Sequence, residues 1–460
     1  MATPIAPEIF KAYDIRGIVD KTLTEEAAEA IGRGLGTMGA AKGVKRFVVG
    51  RDGRLSGPRL VAALTRGLNA AGMDVTDIGV VATPMVYYAT YELGTGSGVM
   101  VTGSHNPPEY NGLKMMVAGE TLASAAIQDL RKLVESGKLA SGQGTVEAKD
   151  MAAAYLERIA GDVKLGRLMR VAIDCGNGSP GAIAPALFRM LGCQVQELFC
   201  EVDGNFPNHH PDPSKPENLE DLVHAVKSGH AELGLAFDGD GDRLGVVTKS
   251  GKIIYPDRQL MLFAADVLQR NPGAKVIFDV KCTRQLFGWI RSHGGEPVLW
   301  KTGHSLVKAK LKETGAPLAG EMSGHIFFKE RWYGFDDGLY AGARLLEILS
   351  RAPDVTQALE GLPDSVSTPE LNVKLAKEGE NHALIERLQK TAEFTGATEV
   401  ISIDGLRVEY PDGFGLMRAS NTTPVIVLRF EADTADALAR IQADFRRVLA
   451  EALPGVALPY

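Results

Sequence analysis

The sequence predicts an α/β protein with three similar mixed-sheet α/β domains around a central cleft, followed by a smaller α+β C-terminal domain. Its 460 residues are too many for one core, because a domain holds roughly 100–200 residues. One order of elements (strand, helix, strand, helix, strand, polar loop, strand) occurs three times, and such repetition indicates related domains. We place the four domains at residues 1–150, 151–252, 253–364 and 365–460.

Short apolar runs, and the turn residues between them, predict the elements of the three copies. The first copy has predicted strands at 46–49, 74–81, 98–101 and 113–117 and helices at 56–71 and 83–93. The second has strands at 171–174, 194–199, 233–237 and 244–248 and helices at 180–191 and 219–228. The third has strands at 276–279, 297–300, 317–319 and 326–329 and helices at 283–292 and 305–313.

The last domain has a different order of elements. Its predicted strands are 371–375, 399–403, 406–410 and 425–430, and its helices are 381–393 and 434–449. Asp404-Gly405 indicates a hairpin turn, and Asp433 or Thr434 is the expected cap of the final helix. A loop rich in hydrogen-bond donors is predicted from 418 to 424, before the last strand.

Composition excludes several classes of function. A net charge of −7 argues against a general nucleic-acid binder, which would carry a basic excess. The four cysteines (Cys175, Cys193, Cys200 and Cys282) show no CxxC spacing and favour a reduced cytoplasm over a disulfide framework or a zinc site. No apolar run reaches the roughly 18 residues of a membrane span, and residues 1–10 show no secretory signal. We expect a cytoplasmic protein with neither nucleic-acid nor membrane partners.

Ser104 and His105 directly follow the predicted strand 98–101, and Lys114 lies ten residues beyond the serine. Chemistry collects at strand ends in doubly wound sheets, so this serine is a candidate nucleophile or phosphate carrier. The alternative is a turn in which Ser104 and Asn106 satisfy backbone groups.

Asp238, Asp240 and Asp242 alternate with glycines in the corresponding loop of the second copy. Hard oxygen ligands at alternate positions suit Mg²⁺, and less well Mn²⁺ or Ca²⁺. An EF-hand is excluded, because Arg243 and Lys249 stand where glycine and glutamate are required. A solvated acidic turn and an aspartyl-phosphate mechanism are the alternatives.

The third copy and the last domain each carry a further polar loop. Glu321, Ser323 and His325 offer an acceptor, a hydroxyl and an imidazole for sugar hydroxyls; a buried Glu–His pair is the alternative. The last loop contains a possible phosphate clamp, for which a capped turn is the alternative; its residues are Arg418, Ser420, Asn421 and Thr422. Such loops from like domains would line one cleft.

Together these loops describe phosphoryl transfer on a phosphorylated sugar. No Walker A loop and no kinase glycine-rich loop occurs in the sequence, so we do not expect bound ATP as the donor.

The four motifs resemble those of the α-D-phosphohexomutase family, most closely its bacterial phosphomannomutase/phosphoglucomutase branch. The resemblance covers the whole chain: 102–107 resembles the phosphoserine loop, 238–243 the metal loop, 320–325 the sugar loop and 418–422 the phosphate loop. Gly103 stands where many members have alanine, which we expect to loosen the loop.

The resemblance implies a mutase that interconverts the 1- and 6-phosphates of mannose and glucose. Ser104 would be phosphorylated, and its phosphate would hold one Mg²⁺ together with the three aspartates. A hexose 1,6-bisphosphate would turn around in the cleft and also serve as activator. The implied catalytic set is Ser104, His105, Lys114, Arg16, Arg243 and His325. The implied substrate contacts are Tyr13, Lys281, His304, Glu321, Ser323, His325, Arg418, Ser420, Asn421 and Thr422.

Within that set, Lys114 or His325 would act as general acid and base, with Arg16 and Arg243 stabilising charge. We expect a monomer whose partners are small hexose phosphates. Phosphoglucosamine mutase is the alternative within the family, and Met322 favours mannose and glucose phosphates. Outside the family, a serine hydrolase lacks its G-x-S-x-G elbow here, and a catalytically dead sugar-phosphate binder would not need Ser104 and all three aspartates.

Overall fold

Four β-sheets follow one another along the chain, which the computed structural model describes over residues 5–377, 379–421 and 423–460. Among these residues the sheets have seven, five, four and six strands. The predicted fold class, three α/β domains and a smaller C-terminal domain, is confirmed. The boundaries that we drew between domains stay predictions. Thr422, one of the predicted phosphate-binding residues, lies outside the described residues.

The first domain is built on the seven-stranded sheet. Its elements are β1 (Ile15–Ile18), α1 (Glu25–Ala41), β2 (Arg46–Arg51), α2 (Gly57–Ala70), β3 (Asp74–Val80), α3 (Thr83–Glu92), β4 (Gly98–Val101), β5 (Tyr110–Val117), β6 (Glu120–Thr121), α4 (Ala125–Ser136) and β7 (Val146–Ala148).

The second and third domains repeat this plan in shorter form. The second contains α5 (Ala152–Asp162), β8 (Arg170–Asp174), α6 (Ala184–Met190), β9 (Gln194–Leu198), α7 (Glu220–Ser228), β10 (Leu233–Phe237), β11 (Leu244–Thr248) and β12 (Ile253–Ile254). The third contains α8 (Pro256–Arg270), β13 (Lys275–Asp279), α9 (Gln285–Ser292), β14 (Glu296–Trp300), α10 (His304–Thr314), β15 (Leu318–Gly320), β16 (Ile326–Phe328), α11 (Gly338–Leu349) and α12 (Val355–Glu360).

The three α/β sheets share one strand order. In the first, β2 lies between β3 and β4, parallel to both, and β5 runs antiparallel beside β4. In the second, β8 lies in the same way between β9 and β10, with β11 antiparallel beside β10. In the third, β13 lies between β14 and β15, with β16 antiparallel beside β15. The predicted threefold repeat is therefore confirmed, and the ends of β4, β10 and β15 are equivalent positions.

The C-terminal domain is a mainly antiparallel sheet covered by helices. Its elements are β17 (Val366–Ser367), β18 (Leu371–Lys374), α13 (Glu380–Thr391), β19 (Glu399–Ile401), β20 (Leu406–Tyr410), β21 (Gly413–Ala419), β22 (Val425–Ala432) and α14 (Ala435–Ala452). The predicted loop from 418 to 424 is wrong at its start, because Arg418 pairs with Val427 inside the sheet. Thr434 is the cap of α14, and its hydroxyl accepts from the backbone N–H of Ala437 at 3.2 Å.

The helices depart most from the predictions. The predicted helix 180–191 is a 3₁₀ turn, Ser179–Ala182, followed by the shorter α6. Six helices have no counterpart among the predicted elements: α1, α4, α5, α8, α11 and α12. Every residue of α11 except Ile348 is buried, including the charged Arg344 and Glu347, so this helix has no exposed polar face. No helix in the described ranges combines the length and apolar composition of a membrane crossing.

Three large apolar cores stabilise the molecule, and a small apolar cluster lies between the third domain and the fourth. One core runs through the first three domains, from Val48 to Leu362. A second lies within the first domain, between its sheet and the helices α1, α2 and α4. The C-terminal domain has its own core between its sheet and its helices. A small cluster of Val280, Phe414 and Leu416 joins the third domain to the fourth.

Candidate active site

Three of the predicted loops begin where equivalent strands end. Ser104 follows β4, Asp238 follows β10 and Glu321 follows β15. All three residues are buried. Because the three strands occupy the same place in their sheets, polar groups from three domains lie at corresponding sheet edges.

The serine loop and the triple-aspartate loop meet directly. The Ser104 hydroxyl donates to Oδ2 of Asp238 at 3.0 Å. The Ser104 carbonyl lies against the Cα of Gly239, where a β-carbon would find no room. Ser104 itself has a φ of 50°, a left-handed conformation that few residues other than glycine adopt. Two loops from different domains are thus in hydrogen-bond contact.

The carboxylates of Asp238, Asp240 and Asp242 converge, with one ligand atom from each within 4.8 Å of the others. Lys114 Nζ pairs with Asp240 at 2.7 Å and with Asp242 at 2.5 Å, and the Thr83 hydroxyl donates to Asp240. Within the described part of the chain, Oδ1 of Asp240 and Oδ1 of Asp242 are buried without a hydrogen bond. Buried, unpaired carboxylate oxygens at this spacing fit a hard divalent cation such as Mg²⁺.

The pKa values of this cluster reflect crowded like charges. Burial, and then the charges of Asp240 and Asp242, raise the pKa of Asp238 well above its usual range. Burial would also raise the pKa of Asp240, but Lys114 outweighs it and lowers that pKa. Burial would lower the pKa of Lys114, and the aspartates raise it instead. Lys114 and Arg243, whose Nε lies 3.8 Å from Oδ2 of Asp238, leave one of the three aspartate charges unbalanced. A divalent cation would supply positive charge here.

His325 is held between an arginine and a buried aspartate. Arg243 Nε donates to His325 Nε2 at 3.1 Å, so this hydrogen-bond network assigns the proton of the neutral imidazole to Nδ1. Nδ1 lies 3.0 Å from Oδ2 of Asp336, and Lys308 Nζ pairs with the other oxygen of Asp336 at 2.9 Å. Asp242, His325 and Asp336 also have the spacing of a metal site, but a metal on Nδ1 would leave a protonated Nε2 facing a donor.

The sugar loop carries a buried carboxylate, Glu321, and each of its two oxygens accepts one hydrogen bond. Oε1 of Glu321 accepts from the backbone N–H of Gly303, and Oε2 accepts from the Ser323 hydroxyl, both at 3.1 Å. Burial raises the pKa of Glu321 to about 7. The backbone N–H of Met322 donates to Asp279 at 3.1 Å, which fixes the loop from beneath.

Residues of three domains meet at the predicted phosphate clamp. Arg418 Nε donates to Asp404 at 3.1 Å, and its Nη2 has no hydrogen-bond partner among the described residues. The Tyr13 hydroxyl donates to the carbonyl of Thr302 at 2.6 Å, and Asn421 Nδ2 donates to Tyr13. The N-terminal arm therefore connects the third domain to the fourth beside a buried guanidinium with a free edge, which suits a phosphate.

The remaining predicted residues lie on several elements, and each has a polar neighbour. Arg16 Nη1 donates to the carbonyl of Gly103 at 2.8 Å. The other contacts are His105 Nδ1 to Asp212 at 3.2 Å, Lys281 Nζ to Glu370 at 3.0 Å, His304 Nδ1 to Asp336 at 4.0 Å, and the hydroxyl of Ser420 to that of Thr423 at 3.2 Å. Burial, and then Arg243, lower the pKa of His105 to about 4.

Several buried polar residues around these loops were not predicted from the sequence. Asp52, Asp174 and Asp279 lie at or just after the ends of β2, β8 and β13, the equivalent first strands of the three copies. Each accepts a backbone N–H of a nearby loop, from Gly103, Gly176 and Met322 respectively. Their recurring position was a usable signal in the sequence. Asp336 and Lys308 had no such signal in the sequence, because they lie outside the polar loops of the repeat.

Models of one protein family match successive parts of the chain. They are described as Phosphoglucomutase/phosphomannomutase, alpha/beta/alpha domain I at residues 7–141, domain II at 153–251, domain III at 255–366, and the C-terminal domain at 370–448.

Named proteins resemble the chain over nearly its whole length. A phosphoglucomutase of Neisseria gonorrhoeae is 63% identical over 447 residues, which cover 97% of each chain. A phosphomannomutase/phosphoglucomutase of Pseudomonas aeruginosa is 57% identical over 465 aligned positions, which cover 100% of both chains. The crystal structure of a phosphoglucomutase/phosphomannomutase family protein of Burkholderia thailandensis has a TM-score of 0.94 and 59% identity, covering 99% of this chain and 100% of that one.

Proposed function

Since the chain belongs to the phosphoglucomutase/phosphomannomutase family of α-D-phosphohexomutases, we propose that it interconverts hexose 1-phosphates and hexose 6-phosphates through a phosphorylated Ser104. The enzyme is an isomerase, like its relatives of 57–63% identity. The observation that carries the serine mechanism is the 3.0 Å contact between the Ser104 hydroxyl and the Asp238 carboxylate. It joins the candidate phosphate carrier to the candidate metal ligands.

In this proposal Asp238, Asp240 and Asp242 hold Mg²⁺ together with the phosphate of Ser104. The bound ion supplies positive charge that stabilises the negative charge developing in transfer. The support for this role is the set of unpaired oxygens on Asp240 and Asp242. A hexose 1,6-bisphosphate serves as the activator that phosphorylates Ser104.

We assign proton transfer to His325. During transfer the bond from phosphorus to Ser104 Oγ breaks, a bond from phosphorus to the sugar hydroxyl forms, and His325 Nε2 takes the hydroxyl proton. Asp336 faces the ring, with its Oδ2 3.0 Å from Nδ1, and Arg243 must first turn away from Nε2. Lys114 stays protonated, because the aspartates raise its pKa, and with Arg16 it balances negative charge.

The proposed phosphate clamp lies far from Ser104 in the sequence, on a domain of its own, because both ends of the sugar have to be phosphorylated in turn. One fixed clamp has to bind whichever phosphate is not reacting, and we give this role to Arg418, Ser420, Asn421 and Thr422 on the last domain. Glu321 and Ser323 hold the sugar hydroxyls in both orientations, with Tyr13, Lys281 and His304 as further contacts. His105 supports the serine loop through Asp212.

We take mannose and glucose phosphates as substrates, and we place the enzyme in the cytoplasm as a monomer. The names of the Neisseria and Pseudomonas relatives support these sugars, and four free cysteines fit a reducing compartment. Rates with mannose, glucose and glucosamine 1-phosphates, measured with Mg²⁺ and a hexose bisphosphate, test the choice. A clear preference for the glucosamine ester would favour phosphoglucosamine mutase.

The decisive experiment replaces the proposed phosphate carrier. We expect Ser104→Ala to abolish both mutase turnover and the covalent phosphate that mass spectrometry detects on the wild-type chain. Ser97→Ala is the matched control, because Ser97 is a buried serine just before the same strand β4 and should leave turnover unchanged. Wild-type turnover by Ser104→Ala would show that the carrier is assigned wrongly.

A further inference from the structure

Arg54 lies buried beneath the loop that carries Ser104. Its side chain is 0% exposed, and its Nε pairs with Oδ2 of Asp52 at 3.1 Å. A buried guanidinium is costly unless its charge is balanced and its donors are all satisfied. What satisfies Arg54 is the backbone of the serine loop.

All five N–H groups of this guanidinium are used. Nε donates to Asp52. The other four N–H groups donate to backbone carbonyls of the serine loop, all in the seven-residue stretch 104–110. These are the carbonyls of Pro107 at 2.5 Å and Tyr110 at 3.0 Å for Nη1, and of Ser104 at 2.8 Å and Asn106 at 2.6 Å for Nη2. One side chain therefore fixes four carbonyls of the loop, including that of Ser104.

Asp52 holds the amino-terminal part of the same loop. It accepts from the Thr102 hydroxyl at 2.7 Å and from the backbone N–H of Gly103 at 3.1 Å. The Thr102 oxygen in turn accepts from the backbone N–H of Ser104 at 2.7 Å. The ion pair thus binds the loop on both sides of Ser104.

Gly103 is part of this arrangement. A β-carbon on Gly103 would overlap the guanidinium of Arg54, so the missing side chain makes room for the arginine. The expectation that Gly103 loosens the loop stays a prediction. On its far side the guanidinium lies 5.0 Å from the centre of the Phe206 ring, which belongs to the second domain.

We propose that Arg54 is a positioning residue for phosphoryl transfer. With Asp52 it holds Ser104 in its left-handed backbone conformation, so that Oγ faces Asp238. The inference rests on the proposed role of Ser104. Lysine cannot replace this arginine, because its single nitrogen has three donors and no planar fork that could reach four carbonyls.

The test compares Arg54→Lys with Arg344→Lys. Arg344 is equally buried and pairs with Asp266 and Glu330, away from the candidate site. We expect Arg54→Lys to lower kcat and the rate of Ser104 phosphorylation by hexose bisphosphate by about 100-fold with little change in KM, as misplacement of a reacting group does. Arg344→Lys should lower the melting temperature and leave kcat unchanged.

Asp52→Asn provides a second, smaller change that removes the charge partner of the same guanidinium. We expect it to reproduce the loss of kcat, and the double variant to lose little more, because both changes break one arrangement. A folded Arg54→Lys or Asp52→Asn enzyme with wild-type kcat would overturn the inference. If the wild-type rate itself did not depend on Ser104, the proposed function would fail first, so the two failures are distinguishable.

Discussion

Glu321 illustrates how the surroundings of one residue set its chemistry. Burial raises its pKa to about 7, while the N–H of Gly303 and the hydroxyl of Ser323 donate to its oxygens. The carboxyl group therefore loses its proton near neutral pH. Only the ionised form has both oxygens available as acceptors. The hydrogen bonds that we propose between Glu321 and the sugar hydroxyls therefore depend on pH.

We expect the KM for hexose phosphates to fall as the pH rises through about 7, because Glu321 then loses its proton and accepts hydrogen bonds more strongly. The measurement is KM as a function of pH for the wild type and for Glu321→Gln. The glutamine variant should show a higher KM without this pH dependence. An unchanged pH profile in the variant would assign the ionisation to another group, such as the phosphate of the substrate.

At the residue scale, the sequence revealed groups whose chemistry appears in short motifs. The positions of Ser104, the three aspartates and Glu321 could be read from loop composition and spacing. Arg54 and Asp336 could not, because their partners lie about 50 and 11 residues away or belong to other loops and only the fold brings them together.

The elements were predictable where burial and turn residues agreed. The strands β4, β10, β11 and β20 have the predicted bounds. The first three are short apolar runs between turn residues, and β20 alternates apolar with charged residues after the Asp404-Gly405 turn. Helix α1 was missed because four glycines interrupt it, and glycine disfavours helices. Close packing against α2 explains one of these glycines, because a β-carbon on Gly32 would overlap the Leu64 carbonyl. The facing glycine of α2 matches it, since a β-carbon on Gly67 would overlap the Glu29 carbonyl.

The final helix offers a test at this scale. Thr434→Ala removes the hydrogen bond to the N–H of Ala437 and should lower the local stability of α14 by about 1 kcal/mol. Hydrogen exchange of the α14 amides measures this local opening. Asp433→Ala, the other predicted cap, is the control and should change it by less than about 0.5 kcal/mol. Equal losses in the two variants would contradict the assigned cap.

At the scale of the whole molecule, the candidate site belongs to no single domain. Its serine, aspartates, sugar loop and phosphate clamp come from four sheets, and one apolar core joins the first three domains. The repeat and its convergent loops were predictable because the same order of elements recurs. The contact of Lys114 with the aspartates of the second domain was not, because no local pattern encodes packing between domains.

Mg²⁺ should stabilise this assembly as a whole. A ligand that binds only the folded state, at about 100 times its Kd, adds about 2.7 kcal/mol to the free energy of unfolding. We expect Mg²⁺ to raise the melting temperature of the wild type, a chelator to reverse the shift, and Asp240→Asn to abolish it. Asp257→Asn, a buried aspartate between the third and fourth domains, should be less stable yet keep the shift. Equal shifts in both variants would place the ion elsewhere.

The three aspartates that follow equivalent strands have a consequence for how such a protein can change over evolutionary time. Asp52, Asp174 and Asp279 each anchor a loop through its backbone, and a backbone N–H is present whatever side chain the loop carries. After duplication of an ancestral unit, each copy could therefore acquire different side chains on its loop and keep the hydrogen bond from the loop backbone to the aspartate. The same anchoring device is compatible with a nucleophile on the loop that Asp52 holds at Gly103 and with hydroxyl acceptors on the loop that Asp279 holds at Met322.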